Sequence, residues 1–173
     1  NVTQNPSFVF TSSGTYTTSL FVTATNACTA TITGTIAVNP NPTVTVNSST
    51  ICLGQQTATL IANGATSYTW SPGLSSTVGT SVTGTPAVTQ NYTVTGSDIN
   101  GCVNTNTLSV LVNSLPIVSS NNSTICLGQQ TATLTASGAN SYTWSAGLSS
   151  TSATVVTGTP SSTENYTLTG IDL

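Results

Sequence analysis

The chemistry open to this chain is narrow. It has four cysteines (Cys28, Cys52, Cys102 and Cys126), three acids (Asp98, Glu164 and Asp172), and no Lys, Arg or His. A hydrolase triad needs a base to activate its nucleophile and a donor for the developing oxyanion. Without a cation or an imidazole neither role can be filled by a side chain, so the residues read as no enzyme, with no catalytic, cofactor or metal site. Asp98 and Asp172 could do acid–base work or hold calcium, but calcium wants six to eight oxygens. Each stands alone near a strand end, where capping a turn is the simpler expectation. The cysteines lack the CxxC or Cys/His spacing of a metal site and fit disulfides in an oxidising compartment. Cys52 and Cys102 are expected to pair. Closing a loop of about 50 residues would add on the order of 4 kcal/mol by chain entropy. The alternative is two buried thiols. Cys28 and Cys126 are then left for a continued chain or another copy. Asn1, Asn47, Asn91, Asn121, Asn122 and Asn165 head Asn-x-Ser/Thr sequences, the acceptor pattern for N-linked sugar. With 16 Asn and 64 Ser plus Thr, such sequences arise by chance.

A repeat must position these residues. Ile51–Leu60 returns almost unchanged as Ile125–Leu134, an offset of 74, and residues 43–99 match 117–173 at about 40 of 57 positions. The same offset relates Trp70 to Trp144, Tyr92 to Tyr166, Asn39 to Asn113 and Cys28 to Cys102. A fixed period is the mark of an array. Only 2% of residues are charged, against about a quarter in ordinary domains, yet hydrophobic residues make up 36%. That is not the composition of a disordered chain. Hydration must come from hydroxyls, amides or covalent glycans, O-linked sugar on Thr and Ser included. Nucleic acid is excluded as a partner because nothing can neutralise a phosphate, and no apolar run is long enough to insert in a membrane as a helix. The absence of Met leads us to expect a mature product or a piece of a longer polypeptide.

Alternating β-branched and aromatic runs between Gly, Pro and Asn punctuation predict strands throughout. In the first 42 residues they fall at Pro6–Phe10, Thr15–Ala24 and Thr29–Val38. In the middle they fall near 43–47, 57–62, 66–71, 78–83, 90–97 and 103–112, with Asn100-Gly101 as a hairpin turn. The fold class is all-β: tandem Ig-like, antiparallel Greek-key sandwiches with incomplete terminal domains. Residues 1–42 are expected to be the C-terminal half of a β domain, 43–113 a complete sandwich, and 117–173 a second repeat lacking its last strand. Asn39–Pro42 and Asn113–Pro116 are linkers. Trp70 and Trp144 follow Tyr68 and Tyr142 by two positions and share a sheet face with them. They could form an aromatic platform for sugar, but core is the expected role on the third strand of a sandwich. Tyr92 and Tyr166 are expected in the core as well, with a tyrosine-corner hydrogen bond.

The series Ile-Cys-x-Gly, Thr-x-Leu-x-Ala, Ser-Tyr-Thr-Trp-Ser, Thr-x-Thr-Pro, Asn-Tyr-Thr-Val-Thr-Gly and Asn-Gly-Cys over 43–173 resembles the Ig-like repeats of giant surface proteins and adhesins of Bacteroidota. Asn5–Val22 looks like the second half of a PKD (polycystic-kidney-disease-type) domain. The resemblance implies a secreted array, stalk or filament at the cell surface. With weak long-range repulsion and no Lys guarding the sheet edges, a head-to-tail partner of the same kind is the expectation. It would join by strand complementation or by chain continuation. A carbohydrate- or surface-binding adhesin module is the alternative.

Overall fold

The structure, a computed structural model, describes residues 5–172. Every regular element among them is a strand. The chain divides into two compact units, Asn1–Val112 and Asn113–Leu173.

The first unit opens with a hairpin, β1 (Gly14–Thr23) against β2 (Thr29–Val38). The expected strand at Pro6–Phe10 does not form. It has no ladder to join, and its aromatics pack instead: the Phe8 and Phe10 rings lie 4.9 Å apart, and Phe10 lies 4.5 Å from Tyr16. The β1–β2 turn holds Ala27 at φ +63°, a left-handed conformation in which a Cβ costs about 1–2 kcal/mol. Ala27 stands at the repeat position of Gly101, whose φ is +81°. Ala27→Gly is therefore expected to stabilise the hairpin by about 0.5–1 kcal/mol, despite the extra freedom glycine gains when unfolded. Slower amide exchange across Ser19–Thr33 would show it; unchanged or faster exchange would refute it.

A two-sheet sandwich follows. One sheet has the order β3 (Thr45–Val46), β5 (Ala58–Asn63), β7 (Ser81–Gly84). The other runs β4 (Ser49–Cys52), β9 (Val103–Asn113), β8 (Gln90–Ser97), β6 (Ser67–Trp70). Strands β5, β6, β7 and β8 alternate, and inward residues from both sheets meet in one cluster that includes Leu60, Trp70, Val82, Tyr92, Val94 and Val110. The outward residues of β6, β8 and β9 form rows of hydroxyls: Thr95 faces both Thr69 and Thr105, and Thr93 faces Thr107. No alternation in the sequence announces β4. It is short, and it exists because β9 offers it an edge.

The second unit repeats these pairings 74 residues on. β10 (Ser119–Ser120) pairs with β11 (Ala132–Ser137), and β11 with β13 (Val155–Gly158). β12 (Ser141–Trp144) pairs with β14 (Leu168–Ile171). Among the described residues nothing occupies the place of β9. Two consequences follow in the ladder. Residues 123–126, the counterpart of β4, are not a strand, and neither are 164–167, the counterpart of the first half of β8. In the first unit β4 has its edge on β9, and Gln90–Thr93 pair only with β9. A strand without a ladder partner has no reason to stay extended.

Candidate functional site

The Ile-Cys-Leu-Gly-Gln-Gln stretch forms the same tight turn in both repeats. The Gln55 N–H donates to the Cys52 carbonyl at 3.2 Å, with Gly54 at φ +69°. The Gln56 side chain folds back so that its Oε1 accepts the Cys52 N–H at 3.1 Å. Gln129, Gly128 and Gln130 do the same around Cys126. The stretch therefore recurs for backbone reasons.

All four cysteines are free, Cys28 and Cys126 exposed, Cys52 and Cys102 half-buried. The expected Cys52–Cys102 bridge is overturned by topology. Cys52 sits at the Gln56–Ala58 end of β5. Cys102 sits in the turn that closes β8 onto β9, at the opposite end, where the Thr66 N–H donates to the Ser97 carbonyl. The five steps from Ala58 to Asn63 alone cover about 16 Å at roughly 3.3 Å per residue. A disulfide allows about 7 Å between Cα atoms. Spacing in sequence suggested a loop closed at its ends, whereas the sandwich puts those ends at opposite poles. Peptide mapping of the oxidised chain is expected to find no 52–102 link, and native alkylation should modify Cys28 and Cys126 before the other pair. A mapped 52–102 peptide would contradict this strand order.

The carboxylates are used singly. Asp98 Oδ1 accepts the N–H groups of Asn100 at 2.8 Å and Cys102 at 2.9 Å, the turn-capping role anticipated for it. Asp172 Oδ1 accepts the Asn140 N–H at 2.9 Å. Among the candidate sugar acceptors, Asn47 and Asn121 are strand mimics. Asn47 Nδ2 donates to the Thr59 carbonyl at 2.9 Å while its Oδ1 accepts the Ile61 N–H at 2.6 Å. Asn121 bridges Thr133 and Thr135 in the same way. A glycan on either would take a nitrogen already bound to a neighbouring strand. Asn91, Asn122 and Asn165 are exposed, and Asn1 lies outside the described residues.

Trp70 and Trp144 are both buried, each indole N–H donating to a carbonyl, Gly79 at 2.8 Å and Ala153 at 2.9 Å. Neither offers a face to a sugar. Tyr92 is buried and Tyr166 half-buried. The local tyrosine-to-backbone bond expected of them belongs instead to the tyrosines two positions before the tryptophans. The Tyr68 hydroxyl accepts the Ala65 N–H at 2.7 Å and donates to the Ala65 carbonyl at 2.9 Å. Tyr142 accepts the Ala139 N–H at 3.1 Å.

The surface that stands out is a groove of about 530 Å³ in the second unit, lined mainly by Ser, Thr and Asn side chains with Ile125, Leu127, Leu134, Trp144 and Tyr166 among them. It lies where β9 would lie. In the first unit Leu108 and Val110 of β9 fill this position, and Leu60, Ile51, Tyr92 and Val94 are buried beneath them. Their counterparts Leu134, Ile125, Tyr166 and Leu168 are all half-buried, and Leu127 is 73% exposed. Sequence alone could locate this site only through the repeat, by noticing which strand of the first copy has no counterpart in the second. No known protein family matches the sequence, and no curated protein matches it.

Proposed function

We propose that this chain is a structural segment of an extracellular fibre or stalk, built of Ig-like repeats and joined head to tail to others of its kind. The observation that supports the reading is the repeat of the strand pairings 74 residues on, Thr45↔Asn63 recurring as Ser119↔Ser137 and Leu60↔Val82 as Leu134↔Val156. Joined end to end rather than face to face, such units give an open filament. The near absence of charge removes the long-range repulsion that would keep copies apart. The adhesin alternative loses its aromatic platform, since both tryptophans are buried.

Electron microscopy of the native material, and of the purified chain at increasing concentration, tests the reading. Linear particles with a regular bead spacing are expected. Compact, monodisperse particles at all concentrations would overturn it.

A further inference from the structure

The chain contains two Asn-Gly pairs, Asn63-Gly64 and Asn100-Gly101. An asparagine followed by glycine can modify itself. The glycine amide nitrogen gives up its proton and attacks the asparagine Cγ. A C–N bond forms, and the carboxamide nitrogen leaves with a proton as ammonia. Water then opens the resulting succinimide to aspartate or isoaspartate. Glycine permits the attack because no Cβ obstructs the close approach. Asn100 and Gly101 are both exposed, and an added Cβ at Gly101 would meet nothing within 4 Å. Neither packing nor exclusion of water protects the pair. Asp98 surrounds it instead. Its Oδ1 accepts the Asn100 N–H at 2.8 Å and the Cys102 N–H at 2.9 Å, and its Oδ2 accepts the Asn100 carboxamide at 3.4 Å. The Gly101 N–H donates to the Asp98 backbone carbonyl at 3.2 Å. One residue therefore holds both the attacking nitrogen and the leaving nitrogen.

The β1–β2 turn shows that this carboxylate is not needed to close the turn. Asn26, Ala27 and Cys28 stand at the repeat positions of Asn100, Gly101 and Cys102, and Ala24 at that of Asp98. The same two backbone bonds close both. The Ala24 N–H donates to the Cys28 carbonyl at 2.8 Å and the Ala27 N–H to the Ala24 carbonyl at 3.0 Å, as the Asp98 N–H donates to the Cys102 carbonyl at 3.0 Å and Gly101 to Asp98. The Cys28 N–H is taken by Asn26 Oδ1 at 3.3 Å. The carboxylate stands only in the turn where glycine, rather than alanine, follows the asparagine. We infer that Asp98 guards the Asn100-Gly101 peptide against succinimide formation. Two effects combine. Taking the proton from the Gly101 nitrogen would create an anion beside a carboxylate, which the like charge disfavours. Attack also needs the nitrogen and Cγ aligned at about 3–3.5 Å, whereas the hydrogen bonds hold the carboxamide on the Asp98 side chain and the N–H on the Asp98 backbone. The guard operates whether or not the chain is part of a fibre.

The test incubates the full-length chain in neutral buffer and follows its chymotryptic peptides by mass spectrometry, with chromatography separating isoaspartate from aspartate. Asp98→Ala is expected to speed conversion at Asn100 by about tenfold or more. Conversion at Asn63, held in the β3–β5 ladder opposite Thr45, should not change. The first turn supplies the converse experiment. Ala27→Gly gives Asn26 a glycine neighbour and should make Asn26 a new site of conversion. Adding Ala24→Asp to that chain should slow it by a similar factor. An unchanged rate at Asn100 in the Asp98→Ala chain, or an Ala24→Asp substitution that leaves Asn26 as fast as before, would overturn the proposal. Equal acceleration at Asn63 would overturn it too, because it would trace the effect to unfolding of the sandwich.

Discussion

Leu60→Ala should destabilise the first sandwich by about 3 kcal/mol, while Leu134→Ala, the same change one repeat later, should cost the second unit only about 1 kcal/mol. The side chains are identical, their β-ladder partners are equivalent (Val82 and Val156), and both belong to the stretch that recurs at the 74-residue offset. What differs is the lid. Leu60 is fully enclosed, so its removal forfeits the transfer free energy of the lost carbons and leaves a cavity the neighbours close only in part. Leu134 is half-buried at the edge of an open groove. It has less hydrophobic free energy to lose, and water already reaches the space. Urea unfolding at concentrations where the chain is monomeric would measure both. Trp144→Phe would leave Trp70 to report the first unit, and Trp70→Phe would leave Trp144 to report the second. Equal losses would mean that the second core is as closed as the first.

Gly64→Ala is expected to be costlier still, at about 4 kcal/mol or more, although it adds a single methyl group. Gly64 holds φ at +92°, and an added Cβ would collide with the carbonyl group of Thr43. The conformational part alone is about 1–2 kcal/mol. The collision is with backbone, which cannot rotate away as a side chain does, so relief requires moving the segment that leads into β3. Pro42 and Val44 are both buried there, and their carbonyls accept bonds from the Asn104 and Asn106 side chains at 3.0 and 2.9 Å. Moving the segment would therefore strain both sheets. Gly138 has the same conformation against Ile117. Gly101→Ala, where an added Cβ meets nothing within 4 Å, is the control and should cost only the conformational part. A Gly64→Ala chain that unfolds at the same urea concentration as the Gly101→Ala chain would show that the approach to Thr43 is not a constraint.

Much of the strand layout is legible in the residues alone. Alternation of apolar and polar residues places β5, β6, β8 and β9 nearly to the residue, because a strand with one wet face and one dry face has a period of two. Asn100-Gly101 marks its hairpin, and the paired Tyr and Trp declare themselves core. The errors share a physical cause. Pro6–Phe10 has strand-like alternation without a ladder, β4 has a ladder without alternation, and the Cys52–Cys102 expectation took nearness along a pattern for nearness in space. Hydrogen-bond partners distant in sequence decide all three.

By itself, then, the sequence determined that this is a repeated, nearly uncharged, all-β chain, since composition and periodicity are local properties of the residues. Only the tertiary structure decided that Cys52 and Cys102 stand at opposite poles and that Asn47 and Asn121 act as pieces of strand. Those depend on which strand lies beside which. Sheet order is set by contacts between residues far apart in the chain, and no local pattern carries it.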